Sequence, residues 1–153
     1  MRADSQRTRV YAWEWASEQL NDTPLSRTSC ERIVRYACAL YGVPTPSVQV
    51  CESTHGRKSY YDELRNHIKL VYKHRTPLAC LHEAAHAITS RYYGNAVQDH
   101  GPEWLGIYCW LILHMGLARP KWLRLSLKNA GLKAKPTRIV APYKLKRMRK
   151  KRA

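Results

Sequence analysis

TPLACLHEAAHAITSRYYG, residues 76–94, decides how the rest of the chain is read. Thr76 can accept a hydrogen bond from a free amide of a first helical turn, Pro77 suits the first helical position, and Gly94 suits a left-handed residue after the last turn. Leu78, Leu81, Ala85, Ile88 and Tyr92 recur three and four apart, which predicts a helix over 77–93 with one continuous apolar face. Within that helix stands His82-Glu83-Ala84-Ala85-His86. Residues four apart lie about one turn apart on nearly the same side, so both imidazoles can reach one metal ion. Glu83 is offset around the helix, beside the metal position, where it can take a proton from a water that the metal activates.

Accident is a poor account of this pattern. Seven His and seven Glu among 153 residues give roughly 0.014 chance matches to HExxH, before any helical context is required. A catalytic zinc site usually has three protein ligands and leaves a position for water, so a third ligand is needed. The extended form HExxHxxGxxH is excluded, because Thr89 and Tyr92 stand where it needs Gly and His. His100 and Glu103 are the two sources that remain. Gly101 and Pro102 would fix the backbone directly after His100 and present its imidazole from a helix start, which favours His100.

Around the motif helix the chain alternates packing helices with short strands. Val10 to about Leu20 and Ser26 or Thr28 to Gly42 read as two helices whose apolar side chains serve packing. Ser47–Cys51, Ser59–Leu64 and His67–Tyr72 read as strands, the last two around a turn at Arg65-Asn66, and a small, mainly antiparallel sheet is the expected arrangement. Gly101-Pro102 can open a further helix, apolar nearly all round and ending at Gly116, and a weaker one covers Trp122–Ala130 and closes at Gly131. The expected fold class is α+β: helices packed on a small sheet, followed by a basic tail.

At 153 residues the chain fits one domain over 1–132, with a flexible tail over 133–153. Ten Tyr and five Trp replace the absent Phe, a composition that folds. Five cysteines at 30, 38, 51, 80 and 109 form neither a disulfide framework nor a CxxC pair, and read as reduced thiols. No apolar run suits a secretory core or a membrane span, so a cytoplasmic or nucleoid- or nucleus-associated protein is expected.

The charge of +16 is unevenly placed, because residues 104–153 hold fourteen Lys/Arg and no acid. Such a block suggests nucleic acid as an anionic partner, with Lys144, Lys146, Arg147, Arg149, Lys150, Lys151 and Arg152 as the contacts and Tyr143 as a stacking ring. The plainer alternative is a solvated tail.

HEAAHAI at 82–88, a thirteen-residue gap after His86, and HGPEW at 100–104 resemble the SprT-like zinc metalloproteases, which include Spartan and related proteases acting on DNA-bound proteins. NHIKL at 66–70 is similar to the strand that leads into the motif helix of that family. The resemblance covers roughly residues 28–116 and is specific at two short motifs. It implies a small zincin-like metalloprotease domain, one Zn2+ held by His82, His86 and His100, and Glu83 as general base. The chain departs from many members in having no cysteine-rich zinc ribbon. Small size, basicity and the missing ribbon would suit a viral or mobile-element protein.

Two other functions compete with a peptidase. One is a non-catalytic, basic nucleic-acid-binding protein with a structural zinc, against which stands the usual need for four ligands; Cys80 is turned about 200° away from the histidine face. The other is a zinc hydrolase acting on a bond other than a peptide. His55, His67, His74 and His114 are expected to be structural or solvent-facing. Tyr93, two turns beyond His86, could face a cleft as a transition-state donor but is expected to pack.

Overall fold

The computed structural model of the protein describes residues 4–17, 24–51 and 58–136. Five helices, α1 (Arg7–Ser17), α2 (Arg27–Tyr41), α3 (Pro77–Tyr93), α4 (Pro102–His114) and α5 (Pro120–Asn129), accompany three strands, β1 (Ser47–Cys51), β2 (Tyr60–Asp62) and β3 (His67–Val71). The α+β class is therefore observed.

Local chemistry sets most boundaries. Ser26 and Thr76 accept hydrogen bonds from the amides of Ser29 and Ala79, each at 3.2 Å, and so cap α2 and α3. Gly42 ends α2 in the left-handed conformation, with φ 65° and ψ 26°. Gly94 also has positive φ, 53°, but its ψ of −136° lies outside the left-handed helical well. There the chain turns into a single 3-10 turn, Gly94–Ala96, in a conformation that only glycine adopts easily. Helix α1 begins at Arg7, three residues before the expected start, because Ser5 and Gln6 are already tied to distant parts of the chain.

The sheet is mixed, which corrects the expectation of a mainly antiparallel one. Strand order is β1-β3-β2. The hairpin β2–β3 is antiparallel over three paired positions, whereas β1 and β3 run parallel over five, from Ser47 beside His67 to Cys51 beside Val71. Alternating side chains report which face of a strand is buried and not which way its neighbour runs. Strand β3, with Ile68, Leu70 and Val71 buried, takes the centre where both edges are paired. The more exposed β1 and β2 are left at the rims.

Helix α3 packs against α2 and α4 and carries Leu81, Ala84, Ala85 and Ile88 into the core at no measurable exposure. Helix α4 is buried on most sides, as its composition predicts; Trp104, Leu105, Ile107, Tyr108 and Leu111 are fully enclosed. Cys30, Cys38, Cys80 and Cys109 are buried free thiols, and burial holds Cys38 and Cys109 protonated by pushing each up to about 12.

Beyond α5 the chain does not leave the domain at residue 133. The Lys133 amide donates to Gln6 Oε1 at 2.7 Å and the Lys135 amide to the Pro102 carbonyl at 2.8 Å, so the first residues of the expected tail are docked. Lys144, Lys146, Arg147, Arg149, Lys150, Lys151 and Arg152, with Tyr143, lie outside the described residues. No helix among the described residues is long and apolar enough to cross a membrane.

Candidate metal centre

Two elements bring three imidazoles to one point. His82 and His86 project from the same side of α3, and His100 arrives from the turn immediately before α4. Gly101 permits that turn, because a Cβ there would stand 3.0 Å from Gln98 Cβ and 3.2 Å from its carbonyl oxygen. Pro102 then starts the helix. The His82 Nε2 lies 3.1 Å from His86 Nε2 and 3.2 Å from His100 Nε2. A tetrahedral ion with metal–nitrogen bonds of about 2.0–2.1 Å separates its ligand nitrogens by about 3.3 Å, so these spacings fit a shared ion. The three ligand atoms all fall within 4.8 Å of one another, close enough to bind a metal ion.

Glu103, the alternative third ligand, is not part of this group; its carboxylate lies 3.6 Å from Lys135 Nζ at the start of α4. Glu83 is beside the histidines, as its offset on the helix requires. It is buried, and its Oε2 has no hydrogen-bond partner. A buried, unsatisfied carboxylate oxygen costs free energy unless something else occupies its lone pairs, which suits a water or ion at this place. Burial pushes the Glu83 carboxyl up to about 7, against the opposing charge of His82 and with a small contribution from Glu14.

Helix α1 and the residues just before it supply what the motif lacks. Glu14 Oε1 accepts from His82 Nδ1 at 2.6 Å, and Asp4 Oδ2 accepts from His100 Nδ1 at 2.6 Å. A carboxylate on Nδ1 fixes the ring and leaves the Nε2 lone pair aimed at the shared point, the arrangement that orients metal-ligating histidines. The hydroxyl of Tyr108 donates to the same Glu14 oxygen at 2.7 Å. Gln6 Nε2 donates to the carbonyl of His100 itself, at 3.2 Å. No sequence spacing announces Asp4 or Glu14, which stand 96 and 68 positions from their histidines. Reading α1 as a packing helix therefore missed its part in the site.

The electrostatics follow from this geometry. Burial drives His86 well below the ordinary imidazole range, with the charges of His82 and His100 acting in the same sense. His100 is also lowered by burial, partly offset by Asp4. Burial would lower His82 too, but the charge and hydrogen bond of Glu14 outweigh it and hold His82 above its usual value.

Aromatic rings enclose the cluster. The fully buried Trp104 lies 4.8, 5.1 and 4.8 Å from the rings of His82, His86 and His100, centroid to centroid. Tyr11 lies 5.8 Å from His82 in a near-parallel stack and 5.3 Å from His100. Tyr93 instead packs against the core.

The remaining described histidines stand apart from the cluster. His67 bonds Ser47, His74 bonds Ser59, and His114 bonds Tyr36; His55 lies outside the described residues. Cys80 is paired with Cys30 and contributes nothing to the metal group. No protein-family model matches the chain, and neither a curated protein nor a solved structure does.

Proposed function

We propose that this protein is a zinc-dependent metallopeptidase that uses Glu83 as general base, in line with its resemblance to the SprT-like proteases. The observation that carries this reading is the convergence of three imidazole Nε2 atoms beside a buried carboxylate with a free oxygen. Three nitrogen donors without a thiolate suit zinc and leave a position open, whereas structural zinc sites are commonly closed by four ligands, often cysteines. A bound zinc ion would polarise the scissile carbonyl and acidify water.

The chain's own residues would do the rest. His82, His86 and His100 hold the ion, with Glu14 and Asp4 keeping two of the rings in their ligating tautomer. Glu83 takes one proton from the attacking water as the new C–O bond forms. It returns that proton to the amide nitrogen as the C–N bond breaks, so it ends each cycle unchanged.

Protein or peptide is the proposed substrate, and nucleic acid is a proposed partner on the strength of the basic C-terminal half alone. Cleavage of casein and histone by metal-analysed protein, with and without single-stranded DNA and chelator, tests both ideas. Glu83→Gln is expected to keep one zinc per chain and lose turnover by about 1,000-fold, within the range of a general base. Retained turnover in that variant, or activity indifferent to chelator, would overturn the peptidase reading.

A further inference from the structure

Helix α1 carries two side-chain rows. Gln6, Val10, Trp13 and Ser17 are buried and seat the helix, with Trp13 Nε1 donating to Ser126 of α5 at 3.1 Å. The adjacent row begins with Asp4 just before the helix and continues through Arg7, Tyr11 and Glu14, spaced three, four and three residues apart, so that it follows one side. The two outer members of this row hold His100 and His82. Of the two inner members, Tyr11 lies against the same cluster and Arg7 lies against Tyr11. Tyr11 meets the rings of His82 and His100, and the Arg7 guanidinium lies over the Tyr11 ring at 5.9 Å.

The two aromatic walls of the cluster differ in access. Trp104 is wholly enclosed, while Tyr11 is 42% exposed and Arg7 is exposed as well. Of the two aromatic walls, the Tyr11 side is therefore the one in contact with solvent. Tyr11 and Arg7 are both hydrogen-bond donors in reach of solvent, whereas on the enclosed side the Tyr108 hydroxyl is engaged by Glu14 and the Trp104 indole N–H is buried. When water adds to a peptide carbonyl, the carbonyl oxygen becomes an anion, and a fixed donor aimed at that charge lowers the barrier.

We propose that Tyr11 is the transition-state donor of this site, its hydroxyl stabilising the oxyanion of the tetrahedral adduct while Arg7 supports it with positive charge. The inference rests on the peptidase reading. The hydroxyl keeps its proton throughout, and the hydrogen bond weakens again when the C–N bond breaks and the carbonyl re-forms.

Tyr11→Phe keeps the ring against His82 and removes only the hydroxyl, so it separates donation from packing. In the zinc-loaded full-length chain it is expected to lower kcat by about 100-fold with KM within a factor of three, the loss seen when one such donor is removed. Zinc content should stay at the wild-type value. A phosphonate peptide, whose tetrahedral anionic centre imitates the adduct, should bind the variant at least tenfold more weakly than wild type by calorimetry. Equal phosphonate affinity in wild type and Tyr11→Phe overturns the inference, as does a wild type that binds no phosphonate. Wild-type protein that cleaves nothing overturns the peptidase reading and this inference with it, whereas wild type that cleaves, with Tyr11→Phe equal to it in kcat and phosphonate affinity, overturns this inference alone.

Discussion

Helices α3 and α1 build the same site in opposite ways. Helix α3 brings its groups together through its own geometry, since the spacing of His82 and His86 on a regular helix is enough to aim both at one point. Helix α1 carries no such internal pattern. Its Tyr11 and Glu14, and Asp4 just before it, acquire meaning only because Gln6, Val10 and Trp13 dock this segment beside the histidines. Two histidines of the cluster can thus be encoded locally, while the third and the groups that orient the rings depend on tertiary docking. The two kinds of contribution should fail differently.

Removing one of the clustered imidazoles should have the largest effect. His100→Ala is expected to abolish stoichiometric zinc binding, and Glu103→Ala to leave it intact, measured by metal analysis after gel filtration. The reverse result would mean that the turn before α4 delivers its carboxylate and not its imidazole.

Groups on α1 should act less strongly but on the same quantity. Glu14→Gln and Asp4→Asn keep the shape of each side chain and remove the charge behind His82 and His100. Each should weaken zinc binding by about 10- to 100-fold, read by competition with a chromogenic chelator. An unchanged affinity with only a lower melting temperature would reduce α1 to a packing element.

Acid separates the histidines of the cluster by sign. In chelated protein, His86 and His100 have folded pKa values below the ordinary value of about 6.5, so the unfolded chain takes up protons first as pH falls and stability drops. His82 is raised by Glu14, so its contribution runs the other way and is present below about 6.5. Glu83, raised by burial to about 7, also gains stability on acidification, whereas His74, lowered by burial, loses it. Glu14→Gln removes the contribution of His82, so it should make the melting temperature of chelated protein respond less favourably to acid between pH 7.5 and 5.5 than that of wild type. The same pH dependence in Glu14→Gln and wild type would show that the His82–Glu14 pair contributes nothing to it.

The smallest effect should come from the end of α3. Thr76→Ala removes the cap on the Ala79 amide and should cost about 1 kcal/mol in denaturant unfolding. Zinc affinity should be unaffected, because His82 lies more than a turn inside the helix. A loss of metal in this variant would mean that the motif helix is less autonomous than its sequence suggests.

Much of this was legible before any coordinates, and the exceptions share a cause. The span of α3 from Pro77 to Tyr93, the strand Ser47–Cys51 and the stop at Gly42 follow from caps, periodicity and turn residues, all of which act over a few positions. His100 was legible as a possibility because Gly101 and Pro102 mark a sharp turn. The parallel pairing of β1 with β3 was not, since alternation is blind to strand direction. Nor was the docking of Lys133 and Lys135, because a run rich in lysine and proline resembles a solvated tail until its amides find Gln6 and Pro102.

By itself the sequence determined the motif helix, its two histidines and the carboxylate between them, because helical periodicity converts spacing directly into direction. Only the tertiary structure decided which side chains stand behind those histidines and which tyrosine stands over them. Asp4, Tyr11 and Glu14 reach the cluster across dozens of residues, and nothing short of packing fixes a contact at that separation.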